Sequence, residues 1–286
     1  MRIIKYFLEF IFIVTFFFIF KVIGYKRASN LGEMLGKRIG PFFRSRSKIL
    51  KNLENSNVGN SDNEREVIIK NMWGNYGRIL SEYVFLKQFR INSLNKFLEI
   101  EGSEVLDQIK KDNEQVVFVS GHFNNFELMA MEIEKAGIDL CAIYRPLNNP
   151  FLNIIMEKIR RNYICKNQIK KGKSGTRKLI ALFKEKYSVA LMIDQRVREG
   201  ESINFFNNPA KTTTIPAQLV KKYGCKVVPV YIERKNKHSF KIFFQSPIKF
   251  NEKFSILEIS IKLNEILEKM IMNNPEQWIW THDRWK

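Results

Sequence analysis

The longest apolar block comes first. From Tyr6 to Tyr25 the chain reads "YFLEFIFIVTFFFIFKVIGY", and between Phe10 and Phe20 only Thr15 is mildly polar. A bilayer-spanning helix needs about 20 mostly apolar residues. Glu9 and Lys21 lie towards the ends, where long side chains can reach the headgroups. The run is apolar on all sides, unlike a surface helix. No small-residue cleavage pattern follows in "KVIGYKRASN". The pattern predicts an uncleaved membrane-anchor helix, either spanning or embedded in one leaflet.

Beyond a polar stretch at Asn55–Glu66, apolar residues recur at helical spacing over Ile68–Phe85. "EVLDQIKKDN" reads as a helix with Ser103 as its N-cap. Strand and helix patterns then alternate. Strands are predicted at Gln115–Ser120, Leu140–Tyr144, Val189–Ile193, Val227–Glu233 and Phe240–Gln245. Helices are predicted at Phe126–Ala136, Phe151–Ile164, Ser174–Lys186, Ile215–Tyr223 and Ile256–Met272. This alternation predicts an α/β fold, a mixed and mostly parallel sheet flanked by helices on both faces. Two regions are expected: residues 1–54, a membrane anchor with a basic juxtamembrane segment, and residues 55–286, a catalytic domain.

Charge narrows the choice of partner. The formal net charge is +19, which suits nucleic acid, acidic lipid headgroups or an acidic carrier protein. Eight Lys and Arg residues between Lys26 and Lys51 follow the apolar run and place the rest of the chain in the cytoplasm by the positive-inside rule. Residues Lys158 to Lys186 carry eleven basic side chains and one acid, Glu185. Arg160, Arg161, Lys170, Lys171 and Lys173 in this segment are candidate docking residues for an acidic carrier protein or anionic lipid. No nucleic-acid motif accompanies the charge. Cys141, Cys165 and Cys225 are scattered, without metal-ligand spacing, and read as small buried hydrophobes.

Candidate chemistry sits in "SGHFNNFE", at the end of the first predicted sheet strand. His122 precedes Glu127 by five residues, a step of about 140° on a regular helix. The two side chains can meet only if His122 lies on the strand-to-helix turn, with Gly121 at the corner and Asn124 or Asn125 capping the helix. Open α/β sheets bind ligands at the carboxyl ends of their strands. An imidazole there, held by a carboxylate, can remove a proton from a substrate hydroxyl. No G-x-S-x-G elbow occurs. Taken alone the spacing is weak, because H-x4-E arises readily by chance.

It is followed in order by "YRPLNNP" (144–150), "MIDQR" (192–196), "FFNNPAKTTTIPAQLVKKYGCKVVPVYIER" (205–234) and "PEQWIWTHDRW" (275–285). In this order and at these spacings the set resembles the lipid A biosynthesis acyltransferase family, the late lauroyl and myristoyl transferases within the wider H-x4-D/E superfamily. The resemblance implies a glycerolipid-acyltransferase-like fold and an enzyme of the Gram-negative inner membrane with its catalytic domain on the cytoplasmic face. It implies transfer of a fatty acyl chain from acyl carrier protein to a hydroxyl of a lipid A precursor. No cofactor or metal is implied beyond the carrier-bound thioester.

The family's H-x4-D/E motif falls on His122 and Glu127, its arginine and aspartate blocks on Arg145 and Asp194. Arg145 is expected to bind a phosphate or the thioester oxyanion, with Asp194 orienting it. Asn125 is expected to contact substrate or cap a helix, and Thr212 and Thr213 to meet a phosphate at a helix start. Asn124 and Phe126 depart from the family's usual glycine and tryptophan, as Asn207 and Ile215 do from its glycines. Two other readings remain open at this point. One is acylation of a different glycolipid or a lysophospholipid, and the other a non-catalytic membrane-tethered binding protein.

Overall fold

The computed structural model describes residues 2–286. In chain order the helices before the sheet are α1 (Arg2–Ile23), α2 (Tyr25–Ile39), α3 (Arg46–Asn55), α4 (Asp62–Glu82) and α5 (Leu86–Arg90). There follow β1 (Leu98–Glu101), α6 (Ser103–Lys111), β2 (Val116–Ser120), α7 (Glu127–Lys135), β3 (Leu140–Tyr144), α8 (Pro150–Tyr163), β4 (Asn167–Lys170) and α9 (Lys173–Lys184). The remainder comprises β5 (Ser188–Met192), β6 (Glu201–Phe205), β7 (Asn208–Thr212), α10 (Ile215–Tyr223), β8 (Lys226–Asn236), β9 (Ser239–Phe244) and α11 (Ile256–Asn273).

Seven strands form one sheet in the order β1-β9-β8-β2-β5-β3-β4, flanked by helices. Every neighbouring pair is parallel except β8 with β9. The central strand β2 is buried along its whole length, as expected of a parallel strand covered on both faces. The carboxyl ends of β2, β3, β5 and β8 therefore lie along one edge. Strands β6 and β7 make a separate hairpin, whose turn residues Phe206 and Asn207 both have positive φ, 51° and 60°. That geometry matches the twist of a two-residue hairpin turn, whose positive φ values Asn adopts more readily than most residues.

The sequence pattern places the main strands and the later helices well. It misses α2, α3, α5, β1, β4 and the β6–β7 hairpin, which are short or polar. Helix α4 starts at Asp62, inside the stretch expected to be a loop, because Ser61 accepts the Glu64 N–H (3.2 Å) and Glu64 accepts the Asn60 N–H (2.6 Å). Ser103 opens α6 rather than capping it. The cap is Gly102 in the left-handed region (φ 80°), where a Cβ would strike the Phe244 carbonyl. Gly224 ends α10 in the left-handed conformation, as the sequence predicts.

The basic segment after α1 packs onto the body through α2 and α3 while most of its charged side chains stay exposed. Helix α2 lies closely against α4, where a Cβ on Gly32, Gly36 or Gly77 would run into the facing backbone. Ser29 and the bidentate Arg234 (2.8 and 2.9 Å) both bond the fully buried Glu82. This ties the helix pair to the end of β8. One continuous core runs from Phe20 and Tyr25 through the sheet to Trp278 and Trp280.

Candidate active site

The strand register dictates the central contact. Ser120 of β2 is paired with Met192 of β5, and the Ile193 N–H extends the ladder to the Ser120 carbonyl (2.9 Å). The residues two further along, His122 and Asp194, then face one another at the strand ends. Asp194 Oδ1 lies 2.8 Å from His122 Nδ1. Its Oδ2 accepts the His122 backbone N–H (2.8 Å) and the Trp278 indole N–H (2.9 Å). Asp194 is fully buried, while a fifth of the His122 side chain is exposed. The ring's Nε2 makes no hydrogen bond and is not sealed off. Phe126 packs edge-on against the imidazole, 4.9 Å between centroids.

These contacts set the protonation balance. Burial alone pulls the His122 pKa down, but the charge of Asp194 and its hydrogen bond outweigh that, so the imidazole titrates above its ordinary value. Burial pushes Asp194 up, and the His122 charge together with three donated hydrogen bonds hold it below the usual carboxylate range. A second, partly buried imidazole differs. His282 is pushed down to about 4 by burial and accepts the Arg196 N–H at Nε2 (2.9 Å), so it is neutral at physiological pH.

Glu127 opens α7 but does not bond the imidazole. Arg160 of α8 reaches its Oε1 (2.8 Å from Nε, 2.7 Å from the second nitrogen), and Tyr83 donates to the same oxygen (3.2 Å). Glu127 is close enough for its charge to favour the imidazolium, an effect that Arg160 opposes. The carboxylate bonded to the ring is therefore Asp194, from the adjacent strand. Arg160, expected on an outer docking face, is instead committed to Glu127 and stacked beside Tyr144, 5.6 Å from its ring centroid.

The other expected residues scatter. Arg145 follows β3 at the same edge but is exposed. Asp194 does not orient it, because the oxygens of Asp194 are taken by His122 and Trp278. Thr212 is buried and does not face a ligand: its hydroxyl donates to the Ala210 carbonyl (3.0 Å) and accepts from Arg284 (2.7 Å). Arg284 is itself fully buried over the Phe205 ring, and burial pulls its pKa to about 10. Thr213 is partly exposed, and its hydroxyl accepts only a long bond from the Ile215 N–H (3.4 Å).

Arg161, Lys171 and Lys173 are exposed, and Lys170 pairs with Glu157 at 3.3 Å. Asn125 caps nothing with its side chain. It is fully buried, and neither amide atom has a partner. Asn124 adopts positive φ (42°), the conformation expected of an Asn in a glycine's place.

The three thiols are buried. Burial raises Cys141 and Cys165 to about 12 and Cys225 to about 11, so they pack as hydrophobes. Among the described residues no three His, Cys, Asp or Glu side chains converge as a metal site requires. Sequence reasoning missed Tyr83 and Arg160 as partners of Glu127, because nothing local marks contacts across 44 and 33 residues. Trp278, in the last of the ordered motifs, was not legible as a site residue. Its motif places it late in the chain and does not show that the indole anchors Asp194.

The arrangement is an oriented imidazole with one free nitrogen at the mouth of a sheet, suited to taking a proton from an alcohol. The chain is 28% identical over 264 residues to the lipid A biosynthesis palmitoleoyltransferase of Escherichia coli (strain K12), covering 90% of this chain and 84% of the relative. It is 25% identical over 264 residues to the lauroyltransferase of the same organism, with the same coverage. To the myristoyltransferase it is 23% identical over 255 residues, 88% of this chain and 77% of the relative. The family model described as bacterial lipid A biosynthesis acyltransferase matches residues 1–286, and with the match spanning helix α1, the imidazole edge and the final tryptophans, the chain belongs to that family.

Proposed function

We propose that this acyltransferase moves a fatty acyl chain from acyl carrier protein to a hydroxyl of a lipid A precursor, on the cytoplasmic face of the inner membrane. The observation that carries the reading is the His122 ring: Nδ1 is fixed by buried Asp194 and Nε2 is open at the strand-end edge. Nε2 takes the proton of the acceptor hydroxyl as its oxygen attacks the thioester carbonyl. A C–O bond forms, the C–S bond breaks, and the imidazolium returns the proton to the departing thiolate. Asp194 holds the tautomer and stabilises the imidazolium. Glu127, the motif's second residue, adds negative field from its clamp between Arg160 and Tyr83.

Arg145 meets the oxyanion or an acceptor phosphate. The orphaned Asn125 amide supports a substrate contact, since buried amides rarely go unpaired without a reason. Arg161, Lys171 and Lys173 offer an exposed basic face for the acidic carrier. Helix α1, 22 residues long, measures about 33 Å, enough to reach across a hydrocarbon core of about 30 Å.

The test supplies purified protein with acyl carrier protein thioesters and either a lipid A precursor or a lysophospholipid, with products read by mass spectrometry. Acylation of the lipid A precursor alone is expected. Turnover only on the lysophospholipid would overturn the acceptor assignment.

A further inference from the structure

The geometry points to a second membrane contact: the turn Gly40–Phe43 inserts Phe42 and Phe43 into an anionic bilayer surface beside the mouth of the site. Phe42 and Phe43 are 87% and 77% exposed, more than any other large apolar residue among the described residues, α1 included.

They do not sit on a loose loop. Gly40 is buried against the Trp73 ring, where a Cβ would clash. Pro41 fixes the next φ. On the far side Arg44 Nε donates to the Thr281 carbonyl (2.9 Å). The turn is thus held rigidly with its rings outward.

Its surroundings select the partner. From Lys37 to Lys51 there are six Lys or Arg and no carboxylate. Arg38, Arg44 and Lys48 are exposed. Aromatic side chains ringed by exposed cations match an interface of acyl chains under anionic headgroups. A protein partner or a second copy would have to supply both an apolar recess and a matching acidic rim.

Position completes the argument. Thr281, which ties down the turn, precedes His282, and His282 bonds Arg196, two residues past Asp194. At the same strand-end edge, Asn149 after β3 donates to the Tyr6 carbonyl of α1 (2.8 Å). The exposed apolar face of α1 and the phenylalanine turn therefore both stand at the edge that carries His122. Seated together, they hold that edge against the surface from which a lipid acceptor comes. This inference rests on the proposed lipid-acceptor function.

The test uses the full chain reconstituted in phosphatidylglycerol-containing vesicles, with an environment-sensitive fluorophore on Phe43→Cys. The three native thiols are buried, so labelling is selective. Phe12→Cys in α1 and Lys111→Cys on the body serve as controls. The expected result is blue-shifted emission at positions 43 and 12, quenching by shallow doxyl-labelled lipids, and protection from aqueous iodide, with position 111 unaffected. A water-like, iodide-accessible probe at 43 while position 12 is lipid-shielded would overturn the inference alone. Water-like probes at both 43 and 12 would overturn the membrane reading as well. A blue shift at 43 that grows with protein concentration and ignores doxyl lipids would assign the turn to a second copy and also overturn it.

Discussion

At the scale of single residues, Asp194 sets the state of His122. Three groups donate to this buried carboxylate, and only one is the imidazole, so a substitution there acts on both the ring's tautomer and its pKa. Asp194→Asn is expected to lower kcat by about 10²–10⁴-fold, measured as initial rate of acyl transfer. The pH profile gives a sharper test. The base must be neutral, and the folded imidazole titrates above its ordinary value. Activity should therefore rise with pH through a pKa above about 6.5 and fall away on the acid side. Removing the Asp194 charge takes away what raises that pKa, so the acid limb in Asp194→Asn should move to lower pH. A limb that stays put would show that another group titrates.

Glu127 makes a different prediction. It and Arg160 are both nearly buried, with side chains 10% and 14% exposed. Arg160→Ala leaves a buried carboxylate without its cation, which costs about 3–5 kcal/mol of stability. Thermal or denaturant unfolding in detergent should show that loss, and Glu127→Gln combined with Arg160→Ala should recover a good part of it.

At the scale of elements, the sheet does the positioning. Parallel pairing of β2 with β5 in one register brings together residues 72 positions apart, and a one-residue slip would turn Asp194 away. The sequence made half of this visible. His122 and Asp194 could each be placed at a strand end from the apolar runs "VVFVS" and "VALMI". Which carboxylate would bond the imidazole was not visible, because H-x4-E proximity along the chain favours Glu127 while register favours Asp194. Register is a property of the paired strands.

Short polar elements were illegible for a related reason. Strands β1 and β4 have four residues each, too short for a pattern to stand out from chance, and are strands because neighbours pair with them. The start of α4 was legible in principle from the S-x-x-E signature at Ser61–Glu64, but not from apolar spacing.

The α2–α4 contact depends on missing side chains. Gly77 faces Gly32 and Gly36 so closely that a Cβ has nowhere to go. Gly77→Ala should separate the helices and cost about 1–3 kcal/mol through overpacking, read as a lowered Tm. An unchanged Tm would mean that the pair is less tightly fitted than the structure has it.

At the scale of the whole molecule, charge and apolar surface divide the labour. The net charge of +19 gives a field that attracts acidic partners. Exposed Arg161, Lys171 and Lys173 concentrate it near the edge of β4. Association with the proposed donor, acyl carrier protein, should weaken as salt rises, because steering is screened beyond a Debye length of about 8 Å at physiological ionic strength. A KM for the carrier thioester that is flat from low to high salt would remove these residues from docking.

The overall architecture was legible from the alternating strand and helix patterns, and the family from five ordered motifs. The long-range ties were not: Glu82 with Arg234, Glu127 with Arg160, Trp278 with Asp194. Each joins segments far apart in the chain whose meeting only the folded sheet brings about.

The most direct measurement is the turnover of purified, reconstituted His122→Ala with an acyl carrier protein thioester and a lipid A precursor, alongside the parent protein and with equal folding confirmed by thermal unfolding. Loss of a proton-accepting imidazole should reduce turnover by at least about 10²-fold while membrane association persists. Turnover within a few-fold of the parent would contradict the account, since the acceptor hydroxyl would then be activated by some group other than the ring that Asp194 holds.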